Sequence, residues 1–530
     1  MQHIRLAVDH SKLDSKFDGY KVSMDNIHFE SKQLPQRSCL RSPTNIMVSL
    51  QHMKVFSNDN QLFCNVEKCT ESHEYLYRIL DTGHIQELAY DKRSRQWKDM
   101  IIGNIDIGTD SSPAFPTGLI FTDFEFYVAS NGISDISVHL GTEVMLKRTF
   151  EGAKGICLIE AKVIENKLNI LAYSVENSEE NDRKTTKTRS RIYWIVVNLL
   201  DFDCTSNLTI EKETQFIQNG HFETCTFSSD GNLIFLASEK PRVDGEQVTV
   251  LNHTWSQTGA TIEVKFTLTG GSLSQEDVDL NVSKSSVKLA IQDVVVLNGT
   301  LGGEIDENDV EIAMGQTEKS LTLKLKSTSD KKWEKLIGLE TSRMEKVENE
   351  EMGKMGASEE PMEECDEADK ALLFYWVNRQ SGKTIAQCDV SGSQSLFVRR
   401  NRDQPADFCL RHDVDGLLWS FAGPAPCHVA TLQAFGYVQA SKTTRLWSGC
   451  SPNNTMACII EGNNRVLLYS QKVEVFGSLS NRKTSQTVNH VAKQHLLRLE
   501  CPDPIRGVHM TNTHLFVATK EHIHVAELPV

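Results

Sequence analysis

Ser381-Gly382-Lys383-Thr384 has the residue order that closes a phosphate-binding loop, in which backbone amides wrap a phosphate and the lysine reaches it. Val377 stands where the leading glycine of such a loop must sit. With a side chain there the amides cannot turn onto a phosphate, so the tetrapeptide is read as a β-turn. His412 and Asp413 offer an acid-base pair, and Asp413 with Asp415 offers oxygens to calcium. A calcium loop needs more oxygens at alternating positions and a closing glutamate, and Leu417 and Leu418 supply none. A hairpin turn accounts for these residues. No H-E-x-x-H, G-x-S-x-G or glycine-rich dinucleotide fingerprint is present. The reading is therefore no catalytic residue, no cofactor, no metal ligand and no small-molecule substrate.

Thirteen cysteines, an odd number without repeated spacing, fit a reducing compartment where they pack as small apolar groups. Cys64 with Cys69, and Cys450 with Cys458, are spaced wrongly for a C-x-x-C pair. Both pairs are read as structural. The sequons at Asn207, Asn252, Asn298 and Asn453 are read as unused for the same reason of compartment.

What remains is the chemistry of recognition. Lys324 and Lys326 alternate with Leu323 and Leu325, so they leave a strand on the side away from its core. Lys331, Lys332 and Lys335 follow closely and extend a basic strip. Trp255 and Trp333 bracket the region, each ring worth on the order of 2–3 kcal/mol if fully enclosed. The candidate partner-binding residues are Lys324, Lys326, Lys331, Lys332 and Trp255. A formal net charge of −15 opposes general nucleic-acid binding, which needs a concentrated basic surface.

The element that must position these residues runs from about Val248 to Leu336. Ile262, Val264, Phe266 and Leu268 fall on every second position, the period of a half-buried strand. Val278 to Val282, Val287 to Ile291, Val310 to Met314 and Leu321 to Leu325 repeat the pattern. Turn formers lie between them: Thr269-Gly270-Gly271-Ser272, Asn298-Gly299 and Gly302-Gly303. Short alternating strands without a helix-period segment predict an antiparallel β-sandwich with one core.

Trp255-Ser256-Gln257-Thr258 at the start, the "LTLKLK" strand and Trp333-Glu334-Lys335-Leu336 at the end resemble the CS domain of the p23 and NudC families. One feature departs from the NudC pattern: Asp309-Val310-Glu311-Ile312 stands where another tryptophan is usual.

The flanks, 1–247 and 371–530, hold short strand-like runs such as "NIMVSL", "LFCNV", "EYLYRIL", "GLIFTDFEFYVAS", "RIYWIVVNL" and "ATLQAFGYVQA". Phe222 to Ser238 reads strand, Ser-Ser-Asp-Gly-Asn turn, strand, as at a hairpin inside a propeller blade. His412 to Gly416 and Glu461 to Asn464 repeat that theme. No amphipathic helix stands out, and Glu176 to Arg191 reads as a charged surface loop. The expected fold is all-β: a β-propeller of about seven or eight blades closed by both flanks, because closure pairs the sheet edges. The CS/p23-like sandwich, 248–340, is expected in a loop between blades. Two separate smaller β-domains are the competing layout.

From 341 to 370 eleven acidic and four basic residues occur with no apolar run, which predicts a disordered acidic linker. It serves as a solvated tether or as an arm that folds back on a basic patch and competes with a partner. The amino terminus lacks the apolar core of a signal peptide, and nowhere do about eighteen apolar residues run together, so a soluble intracellular protein is expected.

Over its full length the layout is similar to a NudC-family member in which a CS domain is embedded between β-rich flanks. "PMEECD" at Pro361 to Asp366 and "FCLRHDVDGLLW" at Phe408 to Trp419 carry that likeness. The resemblance implies a non-enzymatic, cytoplasmic and nuclear co-chaperone or adaptor of the Hsp90 type. Its implied partners are protein clients, β-propeller-containing ones among them, and Hsp90 itself, with no nucleic acid and no membrane. The alternative is a propeller scaffold in a larger complex, without chaperone activity.

Overall fold

The computed structural model describes residues 2–339 and 372–529, apart from 16, 26, 45–46, 48, 109–113, 123–124, 179–186, 201–206, 246–247, 271–272, 274–276, 293, 316–319, 330, 402–403, 424, 441–443, 463, 481–486 and 500–502. The 341–370 linker lies outside the described residues. Two compact units are present: Met1–Pro241 together with Glu367–Val530, and Arg242–Asp366. Among the described residues no helix is long and apolar enough to cross a membrane.

The first unit is a ring of seven sheets among the described residues, each built around antiparallel strands. Blade one is Phe63–Cys64, His73–Ile79, His84–Asp91 and Gln96–Asn104; blade two begins at Gly118–Phe121 and blade three at Cys157–Ile164. Blade five begins at Ser395–Arg399, blade six at Arg445–Cys450, and blade seven at Ile505–Met510. First strands of neighbouring blades lie side by side from blade one to blade four and from blade five to blade seven, and that of blade seven meets that of blade one, which closes the ring. Blades four and five meet through Ile234, Phe374, Phe408 and Trp419 in one buried cluster. Arg400 adds hydrogen bonds to Thr224 Oγ1 and Cys225 O across that seam.

Blade four is assembled from both flanks. Phe222–Phe227 and Leu233–Ala237 precede the sandwich in sequence, whereas Leu373–Val377 and Thr384–Asp389 follow it. The insertion thus interrupts a blade between its second and third strands, not a loop between blades. The reason is geometric: Ala237 pairs with Leu373 at the hairpin's open end, so an inserted segment begins and ends at neighbouring positions.

The amino-terminal segment closes the ring. Phe29–Gln33 pairs antiparallel with His522–Glu527 and completes blade seven. Upstream, Gln2–Ile4 runs parallel to Thr384–Asp389 of blade four, and Lys21–Val22 runs parallel to Thr487–Arg498 of blade six. Over blade five the same segment is held by Asp9 N–H donating to His428 Nδ1 and Tyr20 O–H donating to Gln433 O. Residues 1–33 therefore strap four consecutive blades.

Several local expectations change. "NIMVSL" does not form a strand: Ser49 accepts the His52 N–H as an N-cap, and a helix follows at Leu50–Ser57. Its Val55 joins Met47, Phe115 and Val175 in a buried cluster. "ATLQAFGYVQA" breaks at Ala434, φ 51°, whose N–H is held by Asp415 Oδ1, and Phe435–Ala440 is helical. The charged stretch at 176–191 is strand at both ends, with Ser178 paired to Lys187; only 179–186 lies outside the described residues. Glu176 holds it flat by accepting from Arg189 and Arg191.

The second unit is a two-sheet sandwich. One sheet orders its strands Val248–Thr258, Thr261–Gly270, Ser320–Ser327 and Ile305–Met314. The other orders Val278–Ser283, Ser286–Ile291, Val294–Leu301 and Ile337–Leu339. Ile262, Val264, Phe266, Leu321, Leu323, Leu325, Val287, Leu289 and Trp333 meet in its single core. Asn298 and Gly299 lie inside a strand, opposite Lys288 and Val287, and the chain reverses earlier, at Gln292 with φ 49°. An Asn-Gly pair signals a turn only where the strand pairing leaves it free to bend.

Candidate interaction surface

The two ends of the sandwich are tied by one side chain. Gln257 Nε2 donates to Gly259 O and Lys331 O, both at 3.0 Å, and Gln257 Oε1 accepts the Trp333 N–H at 2.8 Å. That clasp holds the Trp333 indole in the core, 6% exposed, against Gly302 and Gly303. A Cβ on Gly303 would lie 2.5 Å from Trp333 Nε1, so the ring requires glycine there. The glutamine of W-x-Q-T and the second tryptophan are thus one structural device.

Trp255 stands opposite Val264 and points to the core side of the Val248–Thr258 strand, partly buried. That strand is an edge of its sheet, so the ring sits at the rim of the core. Beside it Leu251 is 60% exposed. Leu251 occupies a bulge between Val250 and Asn252, where the register slips by one residue. The signal was present in "VTVLNHTW": the inward phase of Val248 and Val250 disagrees with that of His253 and Trp255. Together Leu251 and Trp255 put apolar surface along an unpaired strand edge.

Lys324 and Lys326 do face away from the core, and each has a carboxylate partner. Lys324 lies between Glu263 and Glu311 in register, with Nζ 3.1 Å from Glu311 Oε2. Lys326 Nζ is 2.8 Å from Asp309 Oδ2, and that hydrogen bond lifts the ammonium above its ordinary pKa. The outer face of this sheet is consequently an interlaced polar surface, with Glu263, Lys265, Glu311, Lys324 and Lys326 alternating in sign. Lys331 and Lys332 lie past the last strand of that sheet, exposed. Among the described residues no carboxylate pairs with either. Asp309, at the position that breaks the usual tryptophan pattern, is the anchor of Lys326.

The remaining sequence candidates are turns. Asn378 Oδ1 accepts from Gln380 N–H and Ser381 N–H and folds the Ser381-Gly382-Lys383 reversal, with Gly382 at φ 69°. Asp413, φ 52°, turns the hairpin between Asp407–His412 and Asp415–Ser420. Burial pushes the Cys225 and Cys458 thiols above their ordinary range, as suits packed side chains.

Residues 251–326 match the CS domain family. NudC domain-containing protein 1 of Mus musculus is 26% identical over 578 aligned positions, which cover 98% of this chain and 97% of that one. The protein of the same name from Xenopus tropicalis is 24% identical and covers 99% and 98%. Among solved structures, the WD40 domain of SCAP from fission yeast covers 94% of this chain and 98% of that one at 7% identity, with a TM-score of 0.28. The ring described above rests on its own strand order and not on that likeness.

Proposed function

We propose, from the similarity of this chain to NudC domain-containing protein 1 over 98% of its residues and from its CS domain match, that it is a non-enzymatic co-chaperone or adaptor of the Hsp90 type. It acts in the cytoplasm and nucleus on protein clients, β-propeller-containing ones among them. The sandwich contacts chaperone and client through the Trp255 edge and the lysines at 324, 326, 331 and 332, and the propeller selects the partner.

The observation that carries this reading is the self-contained sandwich, with its own core and clasp, set into one blade of a chain that matches its relatives from end to end. A strand edge bearing Leu251 and Trp255 suits extended or partly folded polypeptide, which adds main-chain hydrogen bonds to an open edge. Lys331 and Lys332, which pair with no carboxylate among the described residues, suit an acidic partner segment.

The test is a pull-down from cell extract with the intact chain and with a chain lacking 248–340. Loss of Hsp90 and of aggregation-prone clients on deletion supports the co-chaperone. Retention of the same partners by the deleted chain assigns it instead to the scaffold class, with the propeller as the sole docking body.

A further inference from the structure

Where blade seven meets blade one, three metal-binding side chains converge, with a fourth beside one of them. Cys64 ends the first strand of blade one, Glu74 lies in its second, and His509 lies in the first strand of blade seven. One donor atom from each of these three lies within 4.8 Å of the others. Cys69, across a tight turn, brings its sulfur to 3.6 Å from that of Cys64. Two thiolates on one tetrahedral zinc, each about 2.3 Å from the metal, stand about 3.8 Å apart. The cysteine pair therefore already has the length of one edge of the coordination shell.

The surroundings fit a metal better than a plain core. The turn is fixed by Lys68 N–H donating to Asn65 O and Cys69 N–H donating to Val66 O, both at 3.2 Å. The Tyr75 N–H donates to Cys69 Sγ at 3.4 Å, a contact that a bound thiolate would keep, whereas the hydrogen bond that the Cys69 thiol donates to Asn65 O at 3.2 Å would be given up on deprotonation. His509 stacks on Phe516, and among the described residues nothing hydrogen-bonds to its ring nitrogens. Lys92 Nζ lies 2.7 Å from Glu74 Oε1 and orients that buried carboxylate. The charges also close: two thiolates and a carboxylate are balanced by a divalent cation and the Lys92 ammonium. Two sulfurs, a nitrogen and an oxygen form a set that selects zinc over magnesium or calcium.

We propose that Cys64, Cys69, Glu74 and His509 form a structural zinc site that staples blade one to blade seven at the seam where the ring closes. Binding displaces the two thiol protons to solvent and forms two zinc–sulfur bonds, one zinc–nitrogen bond and one zinc–oxygen bond. The C-x-x-x-x-C spacing, which excludes a C-x-x-C knuckle, works here because the other two ligands come from the neighbouring strand and from the opposite end of the chain. The strand Phe29–Gln33 pairs at the opposite edge of the same blade, so blade seven is held on both sides.

The full chain, purified without chelator, is expected to carry about one zinc per molecule by plasma mass spectrometry. Cobalt added to the reduced, zinc-stripped chain is expected to give thiolate-to-cobalt charge-transfer absorption. Cys64→Ser and His509→Ala are each expected to weaken metal binding about tenfold or more, and stripping the wild type to lower its Tm. Should either variant fail to fold, the cobalt titration of the wild type decides alone. A chain without zinc that gives no charge-transfer band, or an unreduced chain with a Cys64–Cys69 disulfide by peptide mass mapping, overturns the proposal.

Discussion

Gln257 Oε1 accepts the backbone N–H of Trp333 across 76 positions of sequence, and the same amide holds Lys331 O. Removing the side chain in Gln257→Ala leaves the Trp333 N–H without that partner. The sandwich is expected to lose about 1–3 kcal/mol. Hydrogen exchange of the full chain should quicken across 256–270 and 320–336 while the blades keep their protection; unchanged exchange there would show that the clasp contributes nothing.

Gly303→Ala drives a methyl to 2.5 Å from the Trp333 indole nitrogen. Overpacking at a closed core position is expected to destabilise by about 1–3 kcal/mol, read as a red shift of tryptophan fluorescence at lower denaturant. Gly245→Ala, at φ 85° but with nothing within 4 Å of the new methyl, tests backbone strain without the clash.

The lysines divide into two pairs. Reversing Lys331 and Lys332 to glutamate breaks no ion pair among the described residues, so Tm should stay constant while affinity for Hsp90 or a client falls. Reversing Lys324 and Lys326 sets like charges against Glu311 and Asp309. Both pairs are solvent-exposed and contribute little to stability, so Tm should drop slightly. Titration by surface plasmon resonance checks affinity, and an affinity unchanged from wild type in both double variants removes the lysines from the interface.

Deleting residues 1–27 removes the strands at Gln2–Ile4 and Lys21–Val22 and the packing of Ile4, Leu6, Val8 and Leu13 on the cluster of blades four and five. The ring should remain folded with about 3–6 kcal/mol less stability. Deleting 1–34 also removes Phe29–Gln33 and leaves His522–Glu527 as an open edge. That chain is expected to aggregate, which light scattering detects.

His524 faces Ser31 across the closing pair of strands, with Ser31 Oγ 2.8 Å from Nδ1 and Phe29 stacked on its ring. Burial pushes its pKa down to about 4. The unfolded chain, with an ordinary histidine near 6.5, takes up the proton first on acidification. The stabilisation is complete above about pH 6.5 and is lost as pH falls toward 4. Thermal melts from pH 7 to 5 should therefore show a falling Tm, and His524→Gln should flatten the fall. His139, buried in blade two and also near 4, adds the same sign in both proteins. A fall equal in both would take His524 out of the account.

The sandwich was legible because its information is local. Ile262 to Leu268 alternate with polar residues, and the sheet buries that face as the period requires. The hairpins at Ser228 to Asn232 and at Asp413 were legible for the same reason, as short turn chemistry between apolar runs. Tertiary structure decided which distant strands pair. Residues 29–33 join 522–527, and blade four is drawn from both sides of an insertion, because sheet edges are satisfied by any strand of suitable register that topology brings near. It also decided that Lys324 and Lys326 meet Glu311 and Asp309, and that Cys64 and Glu74 meet His509. Alternation tells which way a side chain points; only the assembled sheets determine what it meets.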